Sequence, residues 1–126
     1  MALYTCGHII PDSDSVCSAI SLAYLLNKIG RAATPARQGE LNPETKFILD
    51  KFGFEAPVLK TSFAGDELFI TDYSDIAQAP QDLDKTTVVG IVDHHKLGDI
   101  TTSAPLECWI RPVGCTNTIV KEMYDY

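Results

Sequence analysis

Apolar and polar residues occur along this chain in short blocks that predict alternating strands and helices. The run at residues 2–6 is apolar and ends at Gly7, which is typical of a short β-strand. The segment Thr87–Val92 (TVVGIV) is continuously apolar after its first residue and lies between polar residues. That pattern indicates a strand buried on both faces of a sheet. Further strands are predicted at residues 33–37, 67–71 and 106–111.

Helices are predicted between these strands. Apolar residues with the helical spacing i, i+3, i+4, i+7 run from Val16 to Leu26, with Ser13 or Asp14 as the N-cap and an end near Ile29. Asn42-Pro43-Glu44 predicts the start of a second helix that ends at Gly53. Residues 75–79 allow one helical turn, and a last helix begins at residue 116 and reaches the C-terminus. Alternation of this kind predicts an α/β fold, with a mostly parallel sheet flanked by helices.

Size and charge narrow the class of protein. A chain of 126 residues is expected to form one domain. Its net charge of −7 argues against nucleic acid or an anionic membrane as a partner, because such surfaces need clustered Lys and Arg. No apolar run reaches the ~20 residues of a membrane span, and the N-terminus does not have the pattern of a signal peptide. We therefore expect a cytoplasmic domain.

The four cysteines are Cys6, Cys17, Cys108 and Cys115. They form no C-x-x-C pair, so a zinc knuckle is not expected. In a cytoplasmic chain they are predicted to be reduced, buried, small apolar side chains.

Acidic and imidazole side chains follow three of the predicted strands. They are His8, Asp12 and Asp14 after the first strand, Asp72 after the strand at 67–71, and Asp93, His94 and His95 after TVVGIV. This set includes all 3 histidines of the chain. Because ligands of open α/β sheets bind outside the carboxyl ends of the strands, we expect these side chains to meet at one edge.

The chemistry of these side chains points to metal ions. Carboxylates that converge repel one another unless cations neutralise them. Imidazole and carboxylate without thiolate suit Mn²⁺, Mg²⁺, Co²⁺ or Fe²⁺. Asp72, arriving from a separate strand, is the candidate to bridge two ions ~3.5–4 Å apart, where a bridging water becomes a hydroxide nucleophile. Each residue also has a simpler interpretation, since Asp14 can cap a helix, Asp72 can begin a turn and His94-His95 can lie in a polar loop.

Four sequence features together resemble one known family. They are GHIIPDSDS at residues 7–15, the strand-terminal Asp72, the triplet Asp93-His94-His95, and RPVGCT at residues 111–116. In this order they resemble the family II inorganic pyrophosphatases, manganese- or cobalt-dependent members of the DHH phosphoesterase superfamily. The resemblance covers residues 1–126 as the N-terminal, metal-binding catalytic domain. The DHH triplet alone indicates only the superfamily, whereas G-H-x-x-P-D-x-D-S with P-V-G-C-T is much more specific to pyrophosphatases.

The resemblance implies a role for each residue at the sheet edge. The metal ligands it implies are His8 and Asp12 for one ion, Asp14 and His94 for the other, and Asp72 as the bridge. It also implies that His95 faces substrate phosphate and assists its protonation, while Asp93 orients the site. The implied cofactors are two Mn²⁺ ions, with Co²⁺ or Mg²⁺ as substitutes. The implied reaction is hydrolysis of pyrophosphate to two phosphates by a metal-bridging hydroxide, in a homodimer formed through edge strands.

The sequence departs from the family pattern in two ways. Tyr73 stands where the family usually has a histidine, and a phenol does not titrate near neutral pH. The family also has a further metal-binding aspartate, and a second domain whose Lys and Arg residues bind pyrophosphate, beyond the last residue of this sequence. We therefore expect residues 1–126 alone to bind metal but to hydrolyse pyrophosphate weakly.

Two other functions fit the same motif. A DHH phosphodiesterase acting on short oligonucleotides or cyclic dinucleotides would use the same ligands, but would need aromatic and basic groups from another domain. The PVGCT segment and the charge of −7 count against it. A metal- or nucleotide-sensing module without catalysis is suggested by Tyr73 and by the lack of a second domain in this sequence.

Overall fold

Helices and strands alternate along the chain in the computed structural model, which describes residues 1–126. The strands are β1 (Leu3–Cys6), β2 (Thr34–Arg37), β3 (Val58–Leu59), β4 (Glu67–Thr71), β5 (Thr87–Asp93) and β6 (Glu107–Ile110). The helices are α1 (Ser13–Lys28), α2 (Pro43–Phe52) and α3 (Thr116–Asp125). No helix has both the length and the apolar character needed to cross a membrane.

The six strands form one parallel sheet in the order β3-β2-β1-β4-β5-β6. The predicted α/β class with a parallel sheet is confirmed. In this order β1 lies at the centre, and successive strands are added first on one side and then on the other. The strand order reverses between β1 and β4, and the crevice at such a switch point is where ligands of open α/β sheets bind. The residues that follow β1 and β4 therefore share this crevice.

Strand β5 is buried on both faces, as predicted. Val92 packs with Phe69 against α1 and α3 in one core cluster. Val88 and Ile91 belong to a second cluster on the opposite face, together with Phe63. A sheet covered on both sides holds its strand ends rigidly, because the strands cannot shift without disrupting two cores.

The N-terminus of α1 differs from the prediction. The N-cap is Asp12, whose carboxylate accepts the Ser15 N–H at 2.8 Å, so the expected caps Ser13 and Asp14 were wrong. Asp14 instead lies in the first turn of the helix, with its side chain turned toward α3. The prediction for α2 is confirmed, since Asn42 accepts from Thr45 and the helix ends at a left-handed Gly53.

Several smaller features separate the structure from the sequence prediction. Strand β3 was not predicted, because it has only 2 residues and both are exposed. A 3₁₀ turn at Leu83–Lys85 was also missed, whereas the turn expected at residues 75–79 is present as Ile76–Gln78. Strand β5 continues through Asp93, so that residue is the last of the strand and not the first of the loop.

The cysteines are all free, as predicted. Only Cys6 is buried, so the expectation that all four are core side chains was wrong. Cys108 is exposed because it lies on β6, which is an edge strand of the sheet.

Candidate metal centre

Asp72 occupies the centre of the site in an uncommon backbone conformation. It follows β4 with φ +68°, and it is 2% exposed. Its N–H donates to the Val92 carbonyl at 2.9 Å, which ties it to the end of β5. A non-glycine residue in the left-handed region costs on the order of 1–3 kcal/mol and is often found where function requires it. This conformation turns the carboxylate into the crevice between β1 and β4.

The two oxygens of Asp72 face two different histidines. Its Oδ2 lies 3.2 Å from His8 Nε2, and its Oδ1 lies 3.1 Å from His94 Nε2. Each histidine has a second carboxylate beside it, Asp12 at 3.6 Å from His8 and Asp14 at 3.1 Å from His94. The fold thus brings together two His–Asp pairs on either side of one shared carboxylate. The family resemblance implies the same two pairs and the same shared carboxylate as ligands of two ions, and that assignment stays a prediction.

Backbone carbonyls set the tautomer of both histidines. His8 Nδ1 lies 2.6 Å from the Ile9 carbonyl, and His94 Nδ1 lies 3.0 Å from the Val113 carbonyl. A carbonyl only accepts hydrogen bonds, so Nδ1 carries the hydrogen in each ring. In the neutral imidazole the lone pair is then on Nε2, the nitrogen that faces Asp72. Both rings therefore direct a lone pair at the crevice, which is the orientation that a metal-ligating imidazole needs.

The electrostatics of the centre show a surplus of negative charge. A hydrogen bond with Asp72 raises the pKa of His8 to about 9, against burial that acts in the opposite direction. Burial and the neighbouring Asp72 raise the pKa of Asp14 to about 6. Burial acts most strongly on Asp72 and raises its pKa, but the hydrogen bonds with His8, Asp14 and Thr116 and the charge of His8 together outweigh burial, so the net pKa is lowered. Cations would relieve this repulsion more completely than protons do.

Asp93 holds the loop after β5 in place. Its Oδ1 accepts the N–H groups of His94 at 2.8 Å and His95 at 3.2 Å, and lies 2.7 Å from His95 Nδ1. Its Oδ2 is buried without a hydrogen-bond partner. Because Oδ1 contacts the backbone amides of His94 and His95 and the His95 ring, the geometry favours an orienting role for Asp93.

His95 is the most accessible imidazole of the centre, with 52% of its side chain exposed. Burial acts to lower its pKa, but the Asp93 hydrogen bond and the surrounding carboxylates outweigh it, so the pKa is raised. The centroid of its ring lies 4.1 Å from that of the His94 ring, and the two ring planes are tilted by 38°.

Thr116 is a residue of the site for which no role was predicted from the sequence. It is buried at the start of α3, where its N–H donates to Asp14 at 3.0 Å and its hydroxyl donates to Asp72 at 3.1 Å. One residue therefore orients two carboxylates of the centre. The signal was present in PVGCT, whose Val113 carbonyl also orients His94.

Tyr73 does not replace a histidine at the metal centre. Its side chain is buried in the second core cluster with Cys6, and its hydroxyl has no hydrogen-bond partner. Burial raises its pKa well above the ordinary tyrosine value, so it stays neutral. Tyr73 is therefore a core side chain, and it supplies no ionised ligand.

The donor set fits divalent manganese. Two groups of side chains have ligand atoms within 4.8 Å of one another, and Asp72 belongs to both. The groups are His8, Asp12 and Asp72, and Asp72, Asp93, His94 and His95. Carboxylate oxygens with imidazole nitrogens suit Mn²⁺, and no cysteine sulfur belongs to either group.

Two curated proteins that are similar to this chain are named for the same activity. A protein of Archaeoglobus fulgidus is 47% identical over 98% of this chain and 42% of its own length. A protein of Methanocaldococcus jannaschii is 44% identical over 96% of the chain and 38% of its own length. Both are named as manganese-dependent inorganic pyrophosphatases. The chain spans about two fifths of the length of these relatives.

Solved structures agree with the fold. The crystal structure of a Methanococcus jannaschii protein assigned to the family II inorganic pyrophosphatases has a TM-score of 0.90 and 43% identity, over 98% of this chain and 38% of that chain. An exopolyphosphatase-related protein from Bacteroides fragilis has a TM-score of 0.65 over 98% of this chain and 39% of that chain, and at 13% identity it shows likeness of fold alone.

The match to a family model covers nearly every residue of the chain. Residues 2–126 match the model of the DHH family, N-terminal domain. That range includes Asp93-His94-His95 and each of the other residues around Asp72 described above. The parallel sheet places these side chains at its switch point, as described above. With a match of this extent, the chain belongs to the DHH family as its N-terminal domain.

Proposed function

We propose that the protein hydrolyses inorganic pyrophosphate to two phosphates at a centre of two Mn²⁺ ions. The observation that carries this proposal is the position of Asp72, with one oxygen toward His8 and the other toward His94. The names of the curated relatives support pyrophosphate as the substrate and manganese as the metal. Residues 1–126 would contribute the metal ligands described above, as a metal-binding catalytic domain.

The ligand assignment follows the two His–Asp pairs. We assign His8 and Asp12 to one ion and Asp14 and His94 to the other, with Asp72 shared. When bound, the ions would polarise phosphoryl oxygens and lower the pKa of a coordinated water. Thr116 keeps Asp14 and Asp72 facing the crevice throughout, because both of its donors are directed at them.

His95 is proposed to contact the substrate. Its raised pKa keeps a larger fraction of the ring protonated near neutral pH, so it can donate a hydrogen bond to an anionic phosphate oxygen. Asp93 holds Nδ1 at 2.7 Å, which leaves Nε2 as the donor toward substrate. A cavity of about 260 Å³ lies beside this ring and is lined by His8, Asp72 and Lys96 among others. Lys96 is its one lysine or arginine.

The proposal includes an assembly and a location. Strand β3 leaves one edge of the sheet open, and its residues Val58 and Leu59 are about half exposed, which supports a homodimer formed through this edge. A cytoplasmic location agrees with four free cysteines. The net charge of −7 does not contradict a small anionic substrate, because two divalent ions would add four positive charges at the site. The same net charge counts against nucleic acid or an anionic membrane as a partner.

A comparison of substrates tests the proposal. The protein at its natural length, loaded with Mn²⁺, is assayed with pyrophosphate and with a linear dinucleotide, and the same assays are run on Asp72→Asn. We expect pyrophosphate to be hydrolysed at least a hundredfold faster than the dinucleotide, and this activity to depend on Asp72. Faster cleavage of the dinucleotide would indicate a phosphodiesterase. Tight Mn²⁺ binding without hydrolysis of either would indicate a sensing module.

A further inference from the structure

The segment that follows Asp72 contacts both of the other strand-end loops. On one side the Gln78 carbonyl accepts the Ile9 N–H at 3.1 Å, next to His8. On the other side Ser74 and Ile76 bond to the loop that follows His95. None of these contacts involves the metal-ligand side chains, so the metal centre does not account for them.

Three contacts hold the loop of residues 94–100 against this segment. The Gly98 N–H donates to the Ser74 hydroxyl at 2.8 Å, and Ser74 is buried. The Ile76 N–H donates to the Asp99 carboxylate at 2.8 Å, and the Ile100 N–H donates to the Ser74 carbonyl at 3.2 Å. The two loops thus exchange hydrogen bonds in both directions.

Gly98 is required by the closeness of this contact. A Cβ at residue 98 would lie 2.0 Å from the Asp75 carboxylate and 2.4 Å from the Ser74 carbonyl oxygen. The second of these atoms belongs to the backbone and cannot rotate away. Any side chain at residue 98 would therefore push the two loops apart.

We propose that Ser74, Gly98 and Asp99 form a clamp that positions His95 and Lys96 over the cavity beside Asp72. Asp93 fixes His95 from the strand side, and the clamp fixes the loop three and four residues farther along. The residues that line the cavity come from the segment 72–78 and from His95 and Lys96, which are the two segments joined by the clamp. His8 completes the lining. The three clamp residues are positioning residues, and their effect on catalysis rests on the proposed function.

The clamp makes a quantitative prediction. A displacement of about 1 Å of a positioned group can cost about a hundredfold in rate. We expect Ser74→Ala and Asp99→Ala to lower kcat by about 10- to 100-fold without changing the number of Mn²⁺ ions bound. Asp99→Asn keeps an Oδ1 acceptor for Ile76 and should stay within about threefold of the wild type, because a hydrogen bond and not a charge is needed. Ser103 is exposed and lies outside the clamp, so Ser103→Ala is the matched control.

The test uses the protein at its natural length, with three measurements on each variant. Calorimetry gives the Mn²⁺ stoichiometry, a phosphate-release assay gives kcat and KM, and amide hydrogen exchange by mass spectrometry reports on residues 95–100. We expect exchange in this segment to become about tenfold faster in Ser74→Ala and Asp99→Ala, and to be unchanged in the control.

Two results would overturn the clamp. One is unchanged exchange in both alanine variants, and the other is faster exchange with kcat within twofold of the wild type. A wild-type protein that does not hydrolyse pyrophosphate would refute the proposed function instead. In that case the exchange data still decide whether Ser74 and Asp99 hold the loop.

Discussion

Manganese binding at this centre should release about one proton from His8 at pH 7. The Asp72 carboxylate lies 3.2 Å from His8 Nε2 and raises the pKa of the imidazole to about 9. A metal ion can bind Nε2 only when the proton has left, so metal and proton compete for one nitrogen. An unperturbed histidine is mostly protonated only below about pH 6.5, whereas His8 stays mostly protonated up to about pH 9.

The size of the effect follows from that pKa. At pH 7 only about 1% of His8 is neutral, and at pH 9 about half is, so Mn²⁺ affinity at this position should rise about fiftyfold between them. The raised pKa of His8 also affects the folding stability of the metal-free protein. Because the folded pKa lies above the unfolded value, the His8–Asp72 contact stabilises the metal-free chain fully below about pH 6.5, and this contribution is lost as the pH rises through about 9.

The assay is titration calorimetry under anaerobic conditions, in buffers of different ionisation enthalpy. The slope of the observed enthalpy against buffer enthalpy gives the protons released per Mn²⁺. The control His8→Gln should release only about 0.1 proton at pH 7 on binding its remaining ion, since the Asp14 pKa of about 6 leaves that carboxylate mostly ionised. Equal Mn²⁺ affinity of the wild type at pH 7 and pH 9, with no proton release, would refute the reasoning.

Three further predictions follow from the structure. Asp72→Asn removes the charge shared by both His–Asp pairs and should lose at least one bound Mn²⁺ in calorimetry; unchanged stoichiometry would disprove bridging. Gly90→Ala places a methyl group 2.5 Å from the buried Phe69 ring and should destabilise the fold by about 1–3 kcal/mol in urea unfolding, and equal stability would contradict this packing. Residues 1–126 should hydrolyse pyrophosphate at least roughly a thousandfold more slowly than the Methanocaldococcus jannaschii relative, of which they span 38%, because Lys96 is the one lysine or arginine lining the cavity. Equal turnover of the two in a phosphate-release assay would contradict this prediction.

Local patterns in the sequence were sufficient to predict the class of fold. The apolar run of β5, the helical spacing in α1 and the Asn42-Pro43 start of α2 each report a local preference of the chain, and each was confirmed. The two-residue β3 was not predictable, because an exposed edge pair has no burial pattern and forms only through pairing with β2.

Sequence position also named the side chains of the centre, because residues that follow parallel strands must meet at one edge of the sheet. Sequence position could not decide which groups each of those side chains contacts. Asp12, and not Asp14, caps α1, while Asp14 accepts from Thr116, which is 102 residues away in the chain. The left-handed conformation of Asp72 and the carbonyls facing His8 and His94 likewise arise from contacts between distant segments. The order of residues thus indicates which groups are available as metal ligands. Their orientation comes from the tertiary structure, because each side chain is held by neighbours from distant parts of the chain.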